Sequence, residues 1–188
     1  GRTNVEHTIG EDHQLTAGDE VKGSIDWETR YAHMRMHTAQ HLVSGLVYEL
    51  FNGARTVGSQ IHADRSRIDF NPISFDESML NTMTEAVNLR IDEGLEVTDS
   101  VMTRGQINDI MPPERTNMDL LPASVKDLRV VQIGKQIDMC PCAGTHVSNL
   151  KEIGHIQILG KKSKGKGGAK HSRSGARDED FGVESLRI

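Results

Sequence analysis

One long amphipathic segment that carries two histidines, answered far downstream by a second pair of metal-binding residue types, constrains this fold more than any other feature. From Trp27 to Phe51 the pattern predicts a helix. Asp26 is a suitable N-cap and Asn52-Gly53 a stop signal. Leu42, Leu46 and Leu50 adjoin Val43, Val47 and Phe51 at helical spacing, so the second half of the helix must face a core. His37 and His41 stand four apart on it and project from one face. Cys142 and His146 repeat that separation after the middle of the chain. Two such pairs can surround one ion with a tetrahedral set of three nitrogens and one sulfur, which zinc favours; magnesium and calcium want oxygen. The chain must then fold so that the later loop returns to the helix. A closed zinc site that only clamps the two together is the plain alternative. Cys140 is a second candidate thiol, but the spacing of Cys142 to His146 mirrors the histidine pair.

A zinc protease needs His-Glu-x-x-His, with the Glu as general base. Thr38 occupies that position, so any hydrolysis must act on an already reactive ester rather than an amide. Two cysteines one residue apart build no disulfide framework, and a reduced compartment, the cytoplasm, is the expected setting. No run approaches the ~20 apolar residues that span a bilayer, so no membrane partner is expected.

Elsewhere, Leu15–Ile25 reads as a turn and a short strand. Thr56–His62 and Arg67–Phe70 read as a hairpin. Ser74 and Glu77 have capping-box spacing and open a second helix with Leu80, Met83, Val87 and Ile91 inward, ending at Gly94. A strand is expected around Leu95–Val101, followed by an irregular stretch from Arg104 to Leu121. Further strands are expected at Arg129–Ile133, Gln136–Met139, Ile153–Leu159 and Gly182–Ile188. Strands and two helices without regular βαβ alternation predict an α+β fold, two helices packed on a largely antiparallel sheet. The net charge is −5, yet residues 161–177 hold seven basic side chains and no acid. A mildly acidic body with one basic loop suits a polyanion docked locally; a solvated Gly/Ser/Lys loop is the other reading.

The motifs MHTAQHL at Met36–Leu42, GSQ at Gly58–Gln60, RIDF at Arg67–Phe70, PCAGTH at Pro141–His146 and EIGHIQI at Glu152–Ile158 occur in that order. Together they resemble the editing domain of alanyl-tRNA synthetase and its free-standing AlaX relatives, over roughly Asp19 to Leu159. The resemblance implies an aminoacyl-tRNA deacylase that acts in trans on tRNA(Ala) mischarged with serine and, in some members, glycine. It implies zinc as cofactor, with His37, His41, Cys142 and His146 as ligands and Thr38 and Gln60 lining the amino-acid pocket. It also implies a small β-barrel ahead of the editing domain. Residues 1–25 would be the tail of that barrel, and residues 26–188 the zinc-dependent editing domain with its basic loop at 161–177. Lys161, Lys162, Lys164, Lys166, Lys170 and Arg173 are the candidate tRNA contacts. The stretch replaces a shorter Arg-containing segment of the family.

Size alone cannot accept serine and glycine while rejecting alanine, so serine must be read by polarity. A site built around a substrate hydroxyl rejects its deoxy analogue by about 10⁴ or more. Zinc would either activate a water or anchor the substrate amine. The competing expectation is a zinc-stabilised tRNA- or partner-binding module without catalysis.

Overall fold

The computed structural model describes residues 6–116, 118, 121–135, 137–163 and 184–187. Helix α1 spans Trp27–Leu50, and the Asp26 carboxylate accepts from the Thr29 backbone N–H at its start. Asn52 and Gly53, both at positive φ, turn the chain out of it. The antiparallel hairpin of β1 (Arg55–Ile61) and β2 (Ser66–Asn71) follows.

Helix α2 spans Glu77–Glu93 and ends on left-handed Gly94. Its N-cap is Asp76, whose side chain accepts from Met79 N–H, rather than Ser74. Phe75, just before it, is buried.

Strand β3 (Val97–Thr103) leads into a seven-residue helix, α3 (Arg104–Ile110), and a short one, α4 (Pro113–Thr116), where the sequence reading expected irregular chain. The overlooked signal was the capping box of Thr103 and Gln106, whose side chains bond each other's backbone N–H. Strands β4 (Asp127–Ile133) and β5 (Asp138–Pro141), then β6 (Gly160–Ser163) and β7 (Glu184–Arg187), complete the order.

The fold is α+β, as expected, but the strands form two antiparallel sheets instead of one. One runs β1-β2-β7-β6 and the other β3-β4-β5. The strand expected over Ile153–Leu159 does not form. A 3₁₀ turn occupies Leu150–Ile153, and the backbone of Ile156 is satisfied by the Asn88 side chain of α2, which bonds both its N–H and its C=O. Residues 6–26 carry no helix or strand and are exposed, so the strand expected within Leu15–Ile25 is also absent. No described strand lies alongside to take its backbone groups.

The main core lies between α1, α2 and the hairpin. Leu42, Val43, Leu46 and Val47 of α1 meet Met83, Val87 and Ile91 of α2 and Ile68 and Phe70 of β2. Phe70 and Phe51 each pack edge-on against Phe75, with centroids 5.8 Å apart. A smaller core under the second sheet joins Ile107 and Met111 to Leu128, Val130 and Met139. Helix α1 is thus fixed along its second half, and the same sheet that carries β5 delivers the later pair of donors to it. No helix among the described residues is long and apolar enough to cross a membrane.

Candidate metal centre

The loop after β5 is held in place by its own sheet. Arg129 of β4 donates to the carbonyls of Cys142 (2.9 Å) and Gly144 (2.8 Å), and Asp99 of β3 braces its guanidinium at 3.1 Å. Gly144 then passes so near the His37 ring that a methyl group there would overlap it. That approach brings one potential ligand atom from each of His37, His41, Cys142 and His146 within 4.8 Å of all the others. Cys142 Sγ lies 3.5 Å from His37 Nε2 and 3.4 Å from His146 Nε2.

Each imidazole is oriented from behind through Nδ1. His37 faces the Thr145 carbonyl at 3.3 Å, His41 the Asp138 carboxylate at 2.7 Å, and His146 the Thr38 hydroxyl at 3.1 Å. An Nδ1 hydrogen bonded in this way leaves Nε2 as the ligating nitrogen. Three nitrogens and a thiolate around one point are a donor set that suits zinc by chemistry and number.

The two cysteines are pushed in opposite directions. Burial acts to raise the Cys142 thiol, but hydrogen bonds from His146, His37, His41 and the Gly144 N–H overcome it and hold its pKa at about 3. Burial likewise raises Cys140, and there the neighbouring Asp138 carboxylate adds to the rise. Burial disfavours the His41 imidazolium, yet bonds to Asp138, Cys140 and Cys142 keep its pKa well above the ordinary value. Burial lowers that of His146. These surroundings favour the thiolate of Cys142, the form in which a cysteine binds metal.

His37, His41 and Cys142 also form part of the wall of a cavity of about 340 Å³, shared with Gln40, Ser44, Tyr48, Arg55, Thr56, Arg115, Asp138 and Cys140 among others. Thr38 and Gln60 are not in that wall. Thr38 is fully buried beneath the donors: its hydroxyl donates to Met34 O, accepts from Val147 N–H and faces His146. Gln60 is exposed on β1. Of the basic residues, Lys161 sits on β6 with its ammonium on the Phe75 carbonyl, and Lys162 is exposed. Lys164, Lys166, Lys170 and Arg173 lie outside the described residues, as does the rest of the basic loop.

Asp138 was not anticipated. Its only trace in the sequence is a carboxylate two residues before Cys140, a spacing that puts both side chains on one face of a strand. Replacing Asp138 with Asn should weaken metal binding by about 10–100-fold, because the His41 ring loses its anionic anchor. Competition with a chromophoric chelator measures this. Unchanged affinity would show that His41 needs no such support.

The family model described as "Threonyl and Alanyl tRNA synthetase second additional domain" matches residues 128–169. Over 152 residues the chain is 35% identical to a protein of Methanosarcina barkeri named alanyl-tRNA editing protein AlaX-M, covering 81% of this chain and 62% of that protein. A Saccharolobus solfataricus protein of the same name is 34% identical over 162 residues, 86% of this chain and 66% of the relative. The alanyl-tRNA editing protein Aarsd1 of Danio rerio is 32% identical over 152 residues, with 35% of its length covered. The chain spans about three fifths of the AlaX-M relative from Methanosarcina barkeri.

Proposed function

We propose that the chain belongs to the family of alanyl-tRNA editing proteins, which it resembles over about four fifths of its length, and that it hydrolyses, in trans, the ester of tRNA(Ala) mischarged with serine, with glycine as a second candidate, using zinc held by His37, His41, Cys142 and His146. The observation that carries this reading is the meeting of those four side chains, three of which (His37, His41 and Cys142) also line a small cavity. When bound, zinc supplies Lewis acidity next to the ester.

The chain's own residues do the rest. Cys142 brings the negative charge that retains a dication. Asp138 and Thr38 hold the His41 and His146 rings with Nε2 forward. The buried backing of α1 keeps this geometry rigid while the cavity mouth admits the aminoacyl end. Lys162 and the basic stretch beyond it would meet backbone phosphates of the acceptor arm, giving a salt-dependent affinity.

The deciding experiment follows serine release from Ser-tRNA(Ala), with Ala-tRNA(Ala) as the control, as chelator is added. The protein should release serine, spare alanine, and lose turnover before it loses helix content. No release, with unfolding on chelation, would return the site to a structural clamp in a binding module.

A further inference from the structure

Strand β5 presents alternate side chains to opposite sides. Met139 is buried in the smaller core, whereas Asp138 and Cys140, two apart, border the cavity. Asp138 alone suffices to hold the His41 ring through Nδ1. Yet the Cys140 thiol lies against that same nitrogen at 3.3 Å, and 3.7 Å from the Asp138 carboxylate. One nitrogen, one carboxylate oxygen and one sulfur thus converge, all within 4.8 Å of one another. They meet at the nitrogen of His41 that the four-donor group does not use.

The triangle is close to what a cation needs. Zinc bonded tetrahedrally to nitrogen, oxygen and sulfur holds such donors about 3.3–3.6 Å apart, given bonds of about 2.0–2.3 Å. The two sides that end on Cys140 Sγ are near that length. The third, His41 Nδ1 to Asp138 at 2.7 Å, is a hydrogen bond, and a cation in the place of its proton would widen it. Binding would release two protons to solvent, from His41 Nδ1 and from the Cys140 thiol. The carboxylate and thiolate then offset the charge of a dication, and thiolate with imidazole selects zinc or cadmium over magnesium or calcium. Arg55 and Arg115 share the cavity wall and oppose a second dication, so this site is the weaker one.

We infer that His41 Nδ1, Asp138 and Cys140 form a second, weaker site for a thiophilic divalent cation, and that filling it inhibits turnover at the first. An imidazole that bridges two ions keeps them about 6 Å apart, the span of the ring plus two bonds of about 2.0 Å. Paired ions that share one attacking water stand about 3.5–4 Å apart. The second ion is therefore no partner in hydrolysis. It occupies cavity space that the aminoacyl end would fill, and it takes from His41 the carboxylate that orients the ring. This inhibition rests on the proposed deacylation; the site itself does not.

The test titrates cadmium into the metal-free protein and follows the ultraviolet band of each cadmium–thiolate bond. Wild type should give two steps, the first from Cys142 and a weaker second from Cys140. Cys140→Ser should lose the second step and keep the first, which also shows that the variant folds. A single step in wild type, or two in Cys140→Ser, overturns the site. The second arm follows serine release from Ser-tRNA(Ala) in rising zinc, each protein judged against its own rate at one equivalent. Wild type should lose most of its turnover as the second site fills, and Cys140→Ser should lose that inhibition. A second cadmium step without inhibition by excess zinc, or equal inhibition in Cys140→Ser, overturns the inhibitory role alone. A wild type that releases no serine at one equivalent overturns the deacylase reading and the inhibition with it, and the cadmium steps still decide the site.

Discussion

Substituting Ala for Cys142 should empty the metal site and reduce serine release by about a thousandfold, the scale of several kcal/mol of lost Lewis-acid assistance. Of the four candidate ligands, Cys142 is the one that would bring a negative charge to the metal. Against its burial, bonds from three imidazoles and the Gly144 N–H hold its pKa at about 3. Without it, three neutral nitrogens remain to hold a dication, and the loss in affinity should exceed that of removing any one histidine. Metal content by atomic emission and single-turnover deacylation measure both effects. The matched control is Cys140→Ser. Cys140 belongs to a separate group with His41 and Asp138, and its thiol is raised by burial and by that carboxylate. It should keep its zinc. A variant set in which Cys140→Ser loses the metal and Cys142→Ala keeps it would exchange the roles of the two thiols.

The grouping of the four candidate donors was legible because each pair obeys a local rule, four residues apart on a helix or around a bend. The long capped helix that carries the first pair announces itself through two adjoining apolar rows. What surrounds the donors follows no such rule. Asp138 reaches His41 only because β5 packs across α1, a tertiary fact with no period. Thr38 matched a pocket motif, and the first half of α1 places it, fully buried, with its hydroxyl 3.1 Å from His146 Nδ1. The wall residues Gln40 and Ser44 were readable in principle, since they extend the His37–His41 stripe into the apolar half of the helix. Only Thr56 on β1 shows why they are polar there. The strand expected at Ile153–Leu159 failed for a comparable reason. Asn88 of α2 supplies the backbone bonds of Ile156 that a neighbouring strand would have made.

The closeness of α1 to β5 makes a second large effect. Gly45 of α1 lies against the chain that enters β5, where an added methyl group would run into the Ile137 carbonyl and crowd Asp138 Cβ. Alanine favours a helix over glycine by about 1 kcal/mol, so on an exposed turn this exchange would stabilise. Here the obstacle is backbone, which cannot rotate away, and overpacking of this kind costs about 1–3 kcal/mol or more. Gly45→Ala should therefore lower the melting temperature despite its better propensity. By forcing β5 outward it should also part Asp138 and Cys142 from the histidines and weaken zinc binding. Gly144→Ala meets a side chain instead, the His37 ring. That ring can swing, so the fold should survive while the metal is lost. Thermal unfolding of the two apo proteins, paired with zinc titration, separates the cases. If Gly45→Ala melted higher than the parent and bound zinc equally well, the helix–strand gap would not be what sets the spacing of the donors.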